Sequence, residues 1–195
     1  MRILTGYLAA SQGTASIAGH DVAAERLAAA GRVGYLPENG PLYPDLTPLE
    51  SLRFFGQARG LARARLAARI DEVVEQCGLR AIMEKPIDKL SKGLRQRVGL
   101  AQALVHDPEV LIMDEPTAGL DPNQILRFRA LVDQLRGHKT LLVSTHILQE
   151  VTAVADRVLI IHRGALVFDG TMAAVRERGT VESLFHTLTR DGASA

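Results

Sequence analysis

Two adjacent carboxylates, Asp114 and Glu115, directly follow the apolar run "VLIM" at 110–113. Acidic groups placed where a buried strand emerges have two readings. They are a polar strand end that simply meets water, or a nucleotide site. In a nucleotide site Asp114 would hold Mg²⁺, directly or through water, and Glu115 would orient or deprotonate an attacking water. His146 follows a second apolar run, "TLLVS" at 140–144, in the same way. A lone histidine is commonly structural, but one at the same sheet edge as an acidic pair adds a polar group to that chemistry. The third piece is "LSKGLRQR" at 90–97, where Ser91 and Gly93 precede a helical apolar pattern. Ser91 reads as a plain helix cap. With Gly93 it also reads as an anion cradle of free backbone N–H groups, a hydroxyl and the positive end of the helix dipole. Arg95 and Arg97 add positive charge there, or form only a solvated face.

These groups act together only if the surrounding elements bring them to one edge. The runs "VGYL" (33–36), "VLIM", "TLLVS" and "RVLII" (157–161) are continuously apolar, as expected of strands covered on both faces by helices. Between them lie helical patterns. In "TPLE", Thr47 is the N-cap, Pro48 the first helical residue and Glu50 completes a capping box. After an Ala/Arg-rich patch at 61–69, Leu66, Ile70, Val73 and Cys77 share one face, and Gly78 suits the helix end. Val98, Ala101, Leu104 and Val105 are the apolar positions behind Gly93, and Asp107-Pro108 ends that helix. Asp121 caps another, with Pro122 first inside, a stripe of Ile125, Phe128, Leu131, Val132 and Leu135, and Gly137 at its close. Strands alternating with helices predict an α/β fold with a mostly parallel sheet, whose ligands gather at the carboxyl ends of the strands.

The bulk properties narrow the function. A chain of 195 residues, 47% of them hydrophobic, suffices for one packed domain. A formal net charge of +1 and the lack of Trp offer neither a basic footprint nor a stacking platform for nucleic acid. Cys77 is the only cysteine, so no internal disulfide exists; its place on an apolar helix face points to packing rather than chemistry. The apolar runs are too short to cross a bilayer, which takes about 20 residues. Any tie to a membrane must come through a partner.

Three motifs in order, "LSKGLRQR", "VLIMDEPTAGLDP" and "LLVSTH", resemble the signature loop, the Walker B strand with its D-loop, and the switch histidine of ABC transporter ATP-binding subunits. The resemblance runs over most of the chain, and "TVESLFHTLT" near the end is similar to the subfamily that energises bacterial exporters with a separate membrane subunit. It implies a P-loop-NTPase-like fold over 1–170, with a helical subdomain at about 47–104 carrying the signature and a short helical appendage at 171–195. It also implies ATP and Mg²⁺ as ligands. Asp114 would serve Mg²⁺, Glu115 would be the catalytic base and His146 would contact the γ-phosphate. Ser91, Lys92 and Gly93 would address a nucleotide held by a second ATPase subunit, and Asp121 would lie at the dimer seam. The partners implied are that second subunit and an integral membrane permease. The implied location is cytoplasmic, peripheral on the inner face of the cell membrane.

The sequence departs from the family pattern in three places. Lys92 and Leu94 replace the usual Gly and Gln of the signature, while Ser91 and Gly93 are retained. In "GYLPENGPLYPDLT", which resembles the loop that reports on Mg²⁺ and meets the membrane subunit, Glu38 stands where Gln is usual. It offers an oxygen ligand but adds a negative charge. Lastly, no G-x-x-x-x-G-K-[ST] phosphate loop occurs in these residues. "MRILTGYL", with Ile3, Leu4, Tyr7 and Leu8 at helical spacing, resembles the helix that follows such a loop. The expectation is a chain that begins just downstream of its phosphate loop and lacks the preceding strands. The alternative is a degenerate partner subunit that supplies only the signature loop in trans.

Overall fold

Three short apolar runs build the sheet that positions the site. The computed structural model describes residues 1–190, so 191–195 of the C-terminal appendage lie outside the described residues. In chain order the elements are β1 (Ser16–Ile17), β2 (His20–Asp21), α1 (Arg26–Arg32), β3 (Val33–Leu36), α2 (Pro48–Ala58), α3 (Arg63–Gln76) and α4 (Lys92–Leu104). There follow β4 (Val110–Asp114), α5 (Pro122–Leu135), β5 (Thr140–Ser144), α6 (Leu148–Val154), β6 (Arg157–His162), β7 (Ala165–Thr171), α7 (Met172–Glu177) and α8 (Val181–Thr189). Two 3₁₀ turns, Arg80–Ile82 and Ile87–Lys89, lie between α3 and α4. Contacts divide the chain into two compact units, Met1–Ser144 and Thr145–Ala195.

In the first unit β3, β4 and β5 form a parallel sheet with β4 in the middle. β4 is the most buried strand, with Leu111, Ile112 and Met113 fully inaccessible. Burying a side chain of that size stabilises by roughly 1.5–3 kcal/mol. On one face Ile112 and Val33 pack with Ile17 and Ala29, joined by Met1, Leu4, Tyr35 and Leu142. On the other face α4 lies against β3 so closely that a Cβ on Gly34 would stand 2.2 Å from the Ala103 carbonyl oxygen. Val98, Ala101, Leu104 and Val105 of the α4 stretch are all at most 1% exposed, as their spacing predicts.

The caps read from sequence form as expected. Thr47 and Glu50 make the reciprocal capping box of α2. Leu66, Ile70 and Val73 are the buried face of α3, and Cys77 is buried at its end, its thiol pushed up to about 12 by burial. That thiol packs and does not react.

Two expectations fail. The opening residues do not continue a helix: Thr5 N–H bonds to Met1 O, but Tyr7 and Leu8 N–H both return to Arg2 O, around Gly6 at φ +74°. The left-handed glycine breaks the ladder that the apolar spacing implied. Nor does "RVLII" join the parallel sheet. It is β6, paired antiparallel with β7 in the second unit, and Val158 and Ile160 are buried while Leu159 and Ile161 are 48% and 67% exposed. A hairpin packed on one face alternates, whatever the polarity of its outer residues. Its inner face packs with Met172, Val175, Val181 and Leu184, and Phe185 and Leu188 lie against that cluster.

The seam between α4 and β3 carries a pH-sensitive bond. The His106 Nε2–H donates to Val33 O at 3.1 Å, and Nδ1 is buried with no partner among the described residues. Burial first, then the charge of Arg59, pushes this imidazole down from 6.5 to about 4. A depressed histidine favours folding fully above its unfolded pKa, and the stabilisation is lost as the pH falls from about 6.5 to about 4. Urea unfolding between pH 7 and 4.5 should therefore show stability falling toward acid, by up to about 1.4 kcal/mol per pH unit from this group. His106→Gln should flatten the profile in that window; an unchanged slope would assign the acid sensitivity elsewhere.

Candidate functional site

Parallel register decides which polar groups meet at the carboxyl edge of the sheet. Asp114, the last residue of β4, pairs with Ser144, the last residue of β5. The Ser144 hydroxyl donates to Asp114 Oδ1. The Glu115 N–H is shared between Ser144 O at 3.1 Å and Ser144 Oγ at 3.2 Å. Ser144 thus ties both acidic residues to the neighbouring strand, one by its side chain and the other by its backbone. Glu115 has φ +47°, a left-handed conformation that costs a non-glycine residue about 1–2 kcal/mol. That turn ends the strand and redirects the chain through Pro116 and the buried Thr117. The charge of Asp114 also reaches Tyr35, whose phenol is held above its usual value by burial and then by that carboxylate.

Glu38 is exposed, two residues beyond the end of β3; Leu36 there is the register partner of Met113, so Glu38 belongs to the same carboxyl edge. Asp121 is the N-cap of α5, accepting from Gln124 N–H at 3.0 Å. Ser91 is the N-cap of α4 and accepts from Leu94 N–H at 3.3 Å; Ser91 and Lys92 are exposed and Gly93 is buried. Both readings of Ser91 are thereby compatible with one geometry, since a capping hydroxyl stands at the helix's positive end. His146 lies in the second unit, exposed, two residues past the end of β5 in the chain. The first unit therefore places Asp114 and Glu115 at the end of β4, Glu38 in the loop after the neighbouring β3, and Ser91–Gly93 and Asp121 at the starts of two helices.

Ser144 is the site residue that motif reading passed over. Its place at the end of "TLLVS", opposite "VLIMD" in a parallel pair, was the available signal. Among the described residues no three His, Cys, Asp or Glu side chains form a metal cage. The donor set is instead one strand-end carboxylate with Oδ1 already engaged, which suits Mg²⁺ held mostly by water and substrate phosphates. The same residues fit no all-protein cation site.

Ser144→Ala removes the donor to Asp114 and one of two acceptors for Glu115 N–H. Urea unfolding should show a loss of about 1–2 kcal/mol, and Ser144→Thr, which keeps the hydroxyl, should recover most of it. Equal losses in both variants would show that the hydroxyl does not hold the pair.

Known proteins match this arrangement. The profile of the family described as ABC transporter matches residues 1–118. The ABC transporter ATP-binding protein NatA of Bacillus subtilis (strain 168) is 37% identical over 94% of this chain and 76% of its own length. The Nod factor export ATP-binding protein I of Cupriavidus metallidurans is 34% identical over 87% of this chain and 56% of its own. The chain spans 50–59% of several further relatives, so it corresponds to little more than half of those proteins. A solved structure of an ATP binding subunit of an ABC transporter superposes with a TM-score of 0.85 at 28% identity, covering 96% of this chain and 80% of that one. The fold is accordingly the P-loop-NTPase-like α/β fold. Among the described residues no helix is long and apolar enough to cross a membrane. On its sequence and on its fold, this chain belongs to the ABC transporter family, among the ATP-binding proteins.

Proposed function

We propose that this chain acts as the ATP-hydrolysing subunit of an exporter, working in a head-to-tail pair with a second ATPase subunit beneath a separate membrane permease. The observation that carries the reading is the carboxyl edge of β4, where Ser144 holds Asp114 and the backbone of Glu115. Asp114 keeps an oxygen for Mg²⁺, and Glu38 supplies a second acidic group at that edge. Glu115 orients and deprotonates the attacking water, and His146 contacts the γ-phosphate. MgATP, when bound, supplies the transferable phosphoryl group and the cation that neutralises its charge. Ser91, Lys92 and Gly93 offer a hydroxyl, an ammonium and a helix N-terminus to the nucleotide of the partner, with Asp121 at the seam. In this reading 1–170 is the ATPase domain, 47–104 its helical subdomain and 171–195 an appendage. The chain works in the cytoplasm, on the inner face of the membrane. The likeness to the Nod factor export ATP-binding protein I supports the export direction.

The permease would dock on an aromatic patch. Tyr43 and Phe54 are 51% and 49% exposed, with ring centroids 5.8 Å apart, and Phe55 stands 5.2 Å from Phe54. Exposed aromatic clusters of this kind are common anchors at protein interfaces.

A second reading is a partner subunit that offers Ser91 and Gly93 in trans to another ATPase; the retention of both beside the changed Lys92 and Leu94 is the observation behind it. Two chains separate the readings: this one, and the same one preceded by a strand and a G-x-x-x-x-G-K-[ST] phosphate loop. The extended chain should bind and hydrolyse MgATP, and Glu115→Gln in it should lower turnover by about 10²–10⁴-fold. Turnover unaffected by Glu115→Gln contradicts the leading account. Stimulation of another subunit by the unextended chain, lost in Ser91→Ala, would support the second.

A further inference from the structure

The first turn of α4 and the loop after β4 approach closely, and the ends of two long side chains lie over two glycines. A Cβ on Gly93 would lie 2.2 Å from Gln124 Oε1, 2.4 Å from Cδ and 2.5 Å from Nε2. A Cβ on Gly119 would lie 2.4 Å from Lys92 Nζ and 3.3 Å from Cε, with Cδ at 3.5 Å. The two contacts are reciprocal. A side chain from α5 covers the start of α4, and a side chain from the start of α4 covers the loop that leads into α5. Gly119 also has φ +72°, a conformation that favours glycine. A cavity of about 350 Å³ lies between the helices, lined by Gly93, Gln96 and Leu100 of α4 and by Gln124, Phe128 and Leu131 of α5. The crossed contacts join the N-terminal ends of the two helices beside it.

We infer that Lys92 and Gln124 are positioning residues, bracing Ser91–Lys92–Gly93 against the loop at 115–121 of the same chain. Lys92 stands where the family pattern has glycine. Its stem lies along Gly119, filling space that a glycine at 92 would leave open. Gln124 is held at the start of α5, its backbone N–H bonded to Asp121. The stretch carrying Ser91 and the stretch carrying Asp121 are thereby in direct contact. The consequence for catalysis rests on the dimer reading above: both edges presented to a partner subunit would arrive pre-set relative to each other. The brace itself requires neither nucleotide nor partner, so its failure and the failure of that reading are separable.

The test uses the 195-residue chain without ligand. Gly→Ala near a helix start is ordinarily neutral or stabilising. Here Gly93→Ala should lower the melting temperature slightly, because the Gln124 amide must move aside. Gln124→Ala should cost less, and the double variant should recover at least half of the Gly93→Ala loss. In parallel, Lys92→Met keeps the stem and Lys92→Ala removes it. The amides of Gly119 and Leu120 should keep their NMR positions and exchange rates in Lys92→Met. In Lys92→Ala they should shift and exchange at least about fivefold faster. A Gly93→Ala effect of the same size with and without Gln124, or equal responses to the two Lys92 variants, overturns the brace. Should Gly93→Ala fail to fold, the Lys92 pair decides alone.

Discussion

The structure turns on the parallel pairing of β4 with its two neighbours, continued to the last residue of the strand. Because Asp114 remains in register with Ser144, the hydroxyl that closes β5 reaches one acidic residue by its side chain and the next by its backbone N–H. The acidic edge is thus set by sheet geometry. Burial of Leu111, Ile112 and Met113 fixes β4 between two packed faces. A slip of one residue would turn those side chains outward, and would carry Asp114 away from Ser144 at the same time. Core and site are stabilised by the same register.

Much of this was legible in the sequence because it depends on local chemistry. Thr47 with Glu50, Ser91, and Asp121 with Pro122 announce helix starts through hydrogen bonds spanning three residues, and all of them form. The continuous apolar runs at 33–36, 110–113 and 140–144 announce a parallel sheet, where strands with apolar residues on both faces are common. Their polar successors then mark the edge. Asp114 and Glu115 were found on that rule, and Glu38 through the family resemblance.

What escaped reading depends on contacts between distant segments. Nothing within "RVLII" says that its partner is the next strand rather than β5, because an outer face of Leu159 and Ile161 mimics a buried one. The opening pattern spells a helix until Gly6, whose left-handed backbone is invisible to a count of apolar spacing. Ser144 looked like the end of a strand, and its importance is a property of register. The crossed contacts of Lys92 with Gly119 and Gln124 with Gly93 link residues that sequence spacing gives no reason to pair. In each case the missing information was tertiary.

Amide hydrogen exchange at Glu115 in the ligand-free chain tests the pre-set edge most directly. With its N–H shared between the Ser144 carbonyl and hydroxyl, this amide should be protected to the level of those inside β4, although it lies beyond the strand. Exchange at the rate of an exposed loop would contradict the account, because the acidic pair would then be unfixed until a nucleotide arrived.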